Sequence, residues 1–271
     1  TVDTVSGWTD LRAFTSMDNK EHNELWTPPV PGDDVVLSIV VDAKDMLLVE
    51  ENVTLTSINI GYRGFYDMVE IARSGSCNYD VACPDAVDWE DEIPCVAVIS
   101  TGGSTFCTGF MVNNIRNDRD PLFMTADHCG ITSSSAPSLV TFWNFENVPA
   151  VNCPGAGGET ASLDQFLTGS NYLASYSTSD FTLVRLDESP LDEWEISYCG
   201  WSAEETTSQW SVAIHHPSTD AKRWSLDIDP SNVYGYNGPG DDHIQIVDWD
   251  LGTTEPGSSG SPLFNADHRV Y

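Results

Sequence analysis

Apolar residues along this chain come in short runs and not in long helical stripes. From residue 94 onward the runs are Val96–Ser100, Phe106–Val112, Leu122–Thr125 and Leu139–Phe145, then Phe181–Leu186, Trp210–His215, Ile244–Val247 and Pro262–Phe264. They are rich in β-branched and aromatic residues, which fit a pleated, half-buried surface, and Gly, Ser, Asn and Pro separate them. This succession predicts an all-β barrel or sandwich. The best helical candidate is short, Asp85–Glu92. Nearer the start, Val35–Val41, Met46–Val49 and Val53–Ile60 follow a Pro-rich turn at Thr27–Gly32 and predict the strands of a small antiparallel unit. No internal repeat recurs at a fixed period. The character of the chain changes near Arg73-Ser74-Gly75-Ser76, since every cysteine lies beyond it. The expected division is a β-rich segment over 1–73 and a larger domain over 74–271.

Composition sharpens this picture. The 271 residues suffice for one large domain or two modest ones, and 40% hydrophobic residues are enough for a packed core. Asp and Glu number 42 against 11 Lys and Arg, a net charge of −31. So few cations exclude nucleic-acid binding by phosphate neutralisation and disfavour anionic membrane surfaces. No apolar run approaches the roughly 18 residues that a membrane span needs. The opening Thr1-Val2-Asp3 has neither an initiator Met nor a signal-peptide pattern, and the chain stops at Tyr271 as a strand begins, so a fragment is expected. The seven cysteines (77, 83, 95, 107, 129, 153, 199) contain no CxxC spacing, which argues against zinc ribbons and thioredoxin-like centres. Scattered single cysteines fit an oxidised, exported protein with one unpaired cysteine; reduced, buried cysteines are the alternative.

Three stretches carry chemistry. Thr125-Ala126-Asp127-His128-Cys129 ends an apolar strand, Ser179-Asp180 precedes another, and Pro256-Gly257-Ser258-Ser259-Gly260-Ser261-Pro262 is a glycine-flanked serine turn. A serine hydroxyl is a poor nucleophile until a base takes its proton, and the base needs a carboxylate to fix its tautomer. His128, Asp180 and Ser259 occur in the order base, carboxylate, nucleophile. The amides of Gly257 and Ser259 are the natural donors for an oxyanion. A GxSxG elbow is missing and the order Ser, Asp, His is not available, which removes the α/β-hydrolase reading. His215-His216 hints at a metal but reads as a turn before Pro217. Asp241-Asp242 and Asp248…Asp250 hint at calcium but lack the ligand loop, so neither metal nor cofactor is expected. Asn52-Val53-Thr54 is a formal glycosylation sequon.

These stretches resemble the bacterial lysyl-endopeptidase-like branch of the trypsin/chymotrypsin-type serine peptidases. Further matching segments are Ser74–Asn78 with Cys83-Pro84, Cys107-Thr108-Gly109, Phe142-Trp143-Asn144, Ser179–Leu186, Ile214–Pro217 with Lys222-Arg223, and Thr254–Pro262, collinear over most of 74–271. The resemblance implies two antiparallel β-barrels of the chymotrypsin type, the second cut short, with His128 as base, Asp180 as its orienting carboxylate and Ser259 as nucleophile. Residues 1–73 resemble the end of a propeptide, and Arg73-Ser74 is a candidate processing point. It also implies the bridges Cys107–Cys129 and Cys83–Cys153, with Cys77 pairing beyond Tyr271. Cys95 and Cys199 depart from the founding pattern and are expected to pair with each other. The implied activity is that of a secreted, monomeric serine endopeptidase acting on protein or peptide substrates after Lys or Arg. No pocket residue shows that preference: the position six before Ser259 is Thr253, and the family's acid would lie beyond Tyr271. The competing expectation is a noncatalytic β-rich binding or adhesion module of an exported multidomain protein.

Overall fold

The computed structural model describes residues 13–30, 34–59, 74–147, 153, 161–204, 207–236 and 243–271. In chain order the strands are β1 (Tyr79–Asp80), β2 (Val96–Thr101), β3 (Thr105–Met111), β4 (Leu122–Thr125), β5 (Val140–Phe142), β6 (Phe166–Thr168), β7 (Ser170–Tyr176), β8 (Phe181–Leu186), β9 (Ser211–His215), β10 (Arg223–Asp227), β11 (Asn232–Tyr234), β12 (His243–Gln245) and β13 (Leu263–Phe264). One sheet has the order β6-β5-β2-β3-β4-β8-β7, a second the order β1-β10-β9-β13, and β11 and β12 form a hairpin. Every pairing between these strands is antiparallel.

The seven-stranded sheet must curl. Its outermost strands, β6 and β7, lie at opposite edges yet are separated in sequence only by Gly169, at φ 85°. The result is a curled half-barrel at the place of the first of the two expected barrels. Among the described residues the second is an open four-stranded sheet beside a hairpin. One apolar core runs through both sheets, joining Val96, Ile99, Met111 and Phe123 to Val212, Ile214, Trp224 and Phe264. Cations inside the second sheet are neutralised. Arg223, 1% exposed, pairs with Asp80 and with Asp220 at 3.3 Å, and the buried Lys222 reaches Glu146 at 3.0 Å. Three disulfides cross-link the chain, Cys83–Cys153, Cys95–Cys199 and Cys107–Cys129, and Cys77 is an exposed free thiol.

The N-terminal expectation is corrected. No strand forms within 34–59; Met46–Asn52 is instead a helix, α1, preceded by a short 3-10 turn. Met, Leu and Glu dominate its sequence and favour helix, while Val35, Val36, Leu37 and Val40 stay exposed, with no neighbouring strand among the described residues to complete a ladder. Residues 60–73, which include the expected processing point at Arg73, lie outside the described residues. Residues 14–26 lie against the first sheet. Phe14 and Trp26 pack against the apolar cluster that contains Val98, Val140 and Phe142, Lys20 pairs with Glu188, and His22 Nε2 meets Asp187 Oδ2 at 2.8 Å. The helix expected over Asp85–Glu92 is a 3-10 helix over Pro84–Trp89, started by Pro84 and anchored by the buried Trp89.

Candidate active site

Strand pairing brings His128 and Asp180 together. β4 and β8 are neighbours with Thr125 opposite Thr182, so the residues just past Thr125 face those just before Thr182. His128 sits in the 3-10 turn Asp127–Cys129, which Gly130 closes at φ 77°. Asp180 immediately precedes β8 with φ 52°, a left-handed conformation that a short polar residue tolerates better than most. Its Oδ2 lies 2.6 Å from His128 Nδ1 and its Oδ1 accepts the His128 backbone N–H at 2.9 Å. The Asp180 carbonyl accepts Asp127 N–H at 3.1 Å. A carboxylate on Nδ1 favours the Nδ1–H tautomer, leaving Nε2 with a lone pair to take up a proton.

The serine turn packs on the same segment. Gly260 has φ 83°, and a Cβ there would strike Thr125 Oγ1, the Thr108 carbonyl and Ala126 N. From β3, Thr108 N–H donates to the Ser259 carbonyl at 2.8 Å and Thr108 Oγ1 donates to the Gly257 carbonyl at 2.8 Å. Thr108 Oγ1 in turn accepts His216 N–H at 3.0 Å. This fully buried hydroxyl ties β3 to the serine turn.

Two peptide planes around Ser259 are held by their carbonyls. Pro256 O accepts Ser218 N–H at 2.6 Å, and Ser258 O accepts Ser261 N–H at 3.1 Å. In a trans peptide the N–H points opposite to the C=O, so the amides of Gly257 and Ser259 are turned away from these ties. Among the described residues neither amide donates to any group of the chain. Gly257 needs its φ of 101° here, since a Cβ would meet His216 O and Thr219 N, each at 2.9 Å. No hydrogen bond joins Ser259 Oγ to His128 among the described residues.

Behind Ser259 lies a buried polar chain. Ser258 Oγ accepts Glu255 N–H at 3.2 Å and meets His215 Nδ1 at 2.8 Å; His215 Nε2 meets Ser225 Oγ at 3.1 Å, and Ser225 Oγ donates to Thr253 O at 3.0 Å. One arrangement satisfies every member: Ser258 donates to Nδ1, and His215, neutral and protonated on Nε2, donates to Ser225. Burial, with Arg223 adding repulsion, lowers the His215 pKa from 6.5 to about 3. His216 donates from Nδ1 to Asp220 O at 2.9 Å and is likewise pushed down, by burial and then by Lys222. His215-His216 thus precedes a 3-10 turn at Pro217–Thr219, and no group of three metal-ligating side chains forms among the described residues. Asp248 and Asp250 are exposed, while Asp241 and Asp242 lie outside the described residues. The parts played by Thr108, Ser218, Glu255 and Ser258 are not legible locally; for His215 the signal was the His-His-Pro stretch itself.

A mostly β, antiparallel chain carrying a carboxylate-tied imidazole against a glycine-flanked serine turn now has a family. Residues 71–271 match the family described as lysyl endopeptidase, C-terminal domain, and the chain belongs to it. It is 29% identical over 257 residues to a lysyl endopeptidase of Pseudomonas aeruginosa, covering 88% of this chain and 53% of that protein. The chain therefore spans about half the length of the curated relative it matches. Among solved structures it is similar to an HtrA-type protease, AlgW with tripeptide (15% identity, 68% of this chain, 52% of that chain, TM-score 0.47). It is also similar to the inactive form of the Rv3671c protease (19% identity, 69% and 82%, TM-score 0.40).

Proposed function

We propose that this protein is a serine endopeptidase that hydrolyses peptide bonds through an acyl-enzyme. The observation that carries the reading is the 2.6 Å bond between His128 Nδ1 and Asp180 Oδ2, on the segment against which the Ser259 turn packs. Ser259 Oγ attacks the scissile carbonyl carbon while His128 Nε2 takes its proton, and Asp180 stays ionised to stabilise the imidazolium. The negative charge on the former carbonyl oxygen is met by the N–H groups of Gly257 and Ser259. Collapse breaks the C–N bond, and His128 returns the proton to the departing amine. Water then attacks the ester, giving its proton to His128, and Ser259 leaves as the alcohol. No metal or cofactor enters these steps.

The finer reading follows the family. Cleavage after Lys or Arg is supported by membership of a lysyl endopeptidase family and by the acidic surface of a chain with charge −31, which attracts cationic peptides. Secretion is supported by the three disulfides. Residues 1–73 serve as a propeptide-like segment and 74–271 as the peptidase domain, which acts as a monomer. The test compares peptide amide substrates ending in Lys, Arg, Leu or Glu at the cleaved bond, using the full chain. Lys or Arg should dominate, and His128→Ala should lower kcat by about 10⁴-fold or more. Cleavage that survived His128→Ala undiminished would defeat the mechanism, and preference for Leu or Glu would defeat the specificity.

A further inference from the structure

The network on the far side of the serine turn has no part in the steps above. Glu255 stands four residues before Ser259, and its carboxylate is fully engaged. Oε1 accepts from Gly75 N–H and from Asn78 Nδ2, each at 2.7 Å, and Oε2 accepts from Ser218 Oγ at 2.8 Å. Burial alone would push this carboxyl up, but the bonds from Ser218, Gly75 and Asn78 outweigh it and hold it below its ordinary value.

Both ends of this cluster bear on the turn. Ser218 is the residue whose backbone N–H holds the Pro256 carbonyl, and that carbonyl belongs to the peptide plane carrying Gly257 N–H. Ser218 and Thr219 are in left-handed conformations, φ 52° and 59°, which non-glycine residues adopt only when their surroundings hold them there. The Glu255–Ser218 bond is one such hold. At the other end, residues 74–78 precede β1 and are fixed by side chains. Ser74 N–H and Oγ both donate to Asp220 Oδ2, at 3.2 and 2.6 Å, and Gly75 and Asn78 are joined to the turn through Glu255. A single carboxylate thus connects segments 180 residues apart in sequence.

We propose that Glu255 is a positioning residue for the oxyanion donors: through Ser218 it holds the Pro256–Gly257 peptide, and through Gly75 and Asn78 it makes the aim of Gly257 N–H depend on the seating of residues 74–78. The inference rests on the reading of Gly257 and Ser259 as oxyanion donors. Loss of Glu255 should therefore weaken what binds as an oxyanion and spare what binds as a ground state.

The experiment uses the full chain and two ligands built on its best-cleaved peptide: the aldehyde, which forms a tetrahedral adduct, and the matching alcohol, which does not. Glu255→Ala should lower kcat by about 10- to 100-fold, a fraction of the roughly 100- to 1,000-fold attached to losing one oxyanion donor outright. KM and the alcohol's inhibition constant should stay within about twofold. The aldehyde's constant should rise in step with the fall in kcat. Glu255→Gln retains an acceptor for Gly75 and Asn78 and can donate to Ser218 Oγ, so it should recover most of the loss. Ser218→Ala and Asn78→Ala each remove one arm and should each show a smaller aldehyde-selective loss, which keeps the test open should Glu255→Ala fail to fold. Equal weakening of aldehyde and alcohol, or aldehyde binding at the wild-type level in all these variants, would overturn the inference. A wild-type protein that bound aldehyde no better than alcohol would instead overturn the reading of Gly257 and Ser259, and the inference with it.

Discussion

Acid should unfold this protein partly through one imidazole. His215 is completely buried at the end of β9, between the hydroxyls of Ser258 and Ser225. Burial, with a smaller contribution from Arg223, lowers its pKa from 6.5 to about 3. The unfolded chain takes up a proton at His215 near pH 6.5, whereas the folded chain resists until about pH 3. Because the folded value is the lower one, the stabilisation is present above pH 6.5 and is lost as pH falls through that window. Each pH unit inside the window is worth about 1.4 kcal/mol. Going from pH 7 to pH 4 crosses about 2.5 units of it, so this group alone removes about 3 kcal/mol. The assay is urea unfolding of wild type and His215→Gln at pH values from 7 to 4. The variant should be less stable at pH 7 by about 1–3 kcal/mol, because Ser258 and Ser225 lose a matched partner. Its stability should then fall less with acid, so that the two curves converge by about 3 kcal/mol at pH 4. The difference between the two curves reports His215 together with its effect on the adjacent His216, whose pKa His215 helps to lower. Parallel curves would mean that His215 does not carry this part of the acid sensitivity.

Gly260→Ala forces a Cβ against the Thr108 carbonyl at a left-handed φ of 83°. It should cost upwards of about 3 kcal/mol and displace Ser259, seen as a lower Tm together with lost activity. A variant with wild-type Tm and activity would mean that the turn is not packed as described. Replacing both Cys107 and Cys129 by Ala opens a bridge of sequence separation 22, and the unfolded chain regains entropy worth about 3 kcal/mol. Equilibrium unfolding without reductant measures this, and an unchanged midpoint would contradict it.

The elements most legible in the sequence are those whose signal is local. Phe181–Leu186, bounded by Asp180 and Asp187, and Leu122–Thr125, which follows Asp120-Pro121, are local runs and form strands over those same residues. Other strands were hidden for physical reasons. β7 carries Ser170, Asn171 and Ser175 and is mostly exposed at a sheet edge, so it has little apolar signal. β10 begins at Arg223 and ends at Asp227, charges that break the apolar signal and are accommodated only because Asp80 and Asp220 lie beside the guanidinium. The β-branched run at 35–41 misled in the opposite direction, because propensity makes no strand without a partner. His128, Asp180 and Ser259 each stand in a recognisable local setting. Thr108 and Glu255 do not, since their partners lie 149 and 180 residues away, a proximity that only the antiparallel packing creates.

The measurement that bears most directly on the central claim is covalent labelling by a serine-directed peptidyl phosphonate, followed by mass analysis of the modified peptide. One adduct is expected, on Ser259, formed by the full wild-type chain and absent from Ser259→Ala, with Asp180→Asn slowing its formation by orders of magnitude. Labelling that persisted in Ser259→Ala, or a folded wild-type chain that never reacted, would contradict that claim, and the second result would favour a noncatalytic binding module on the same β framework.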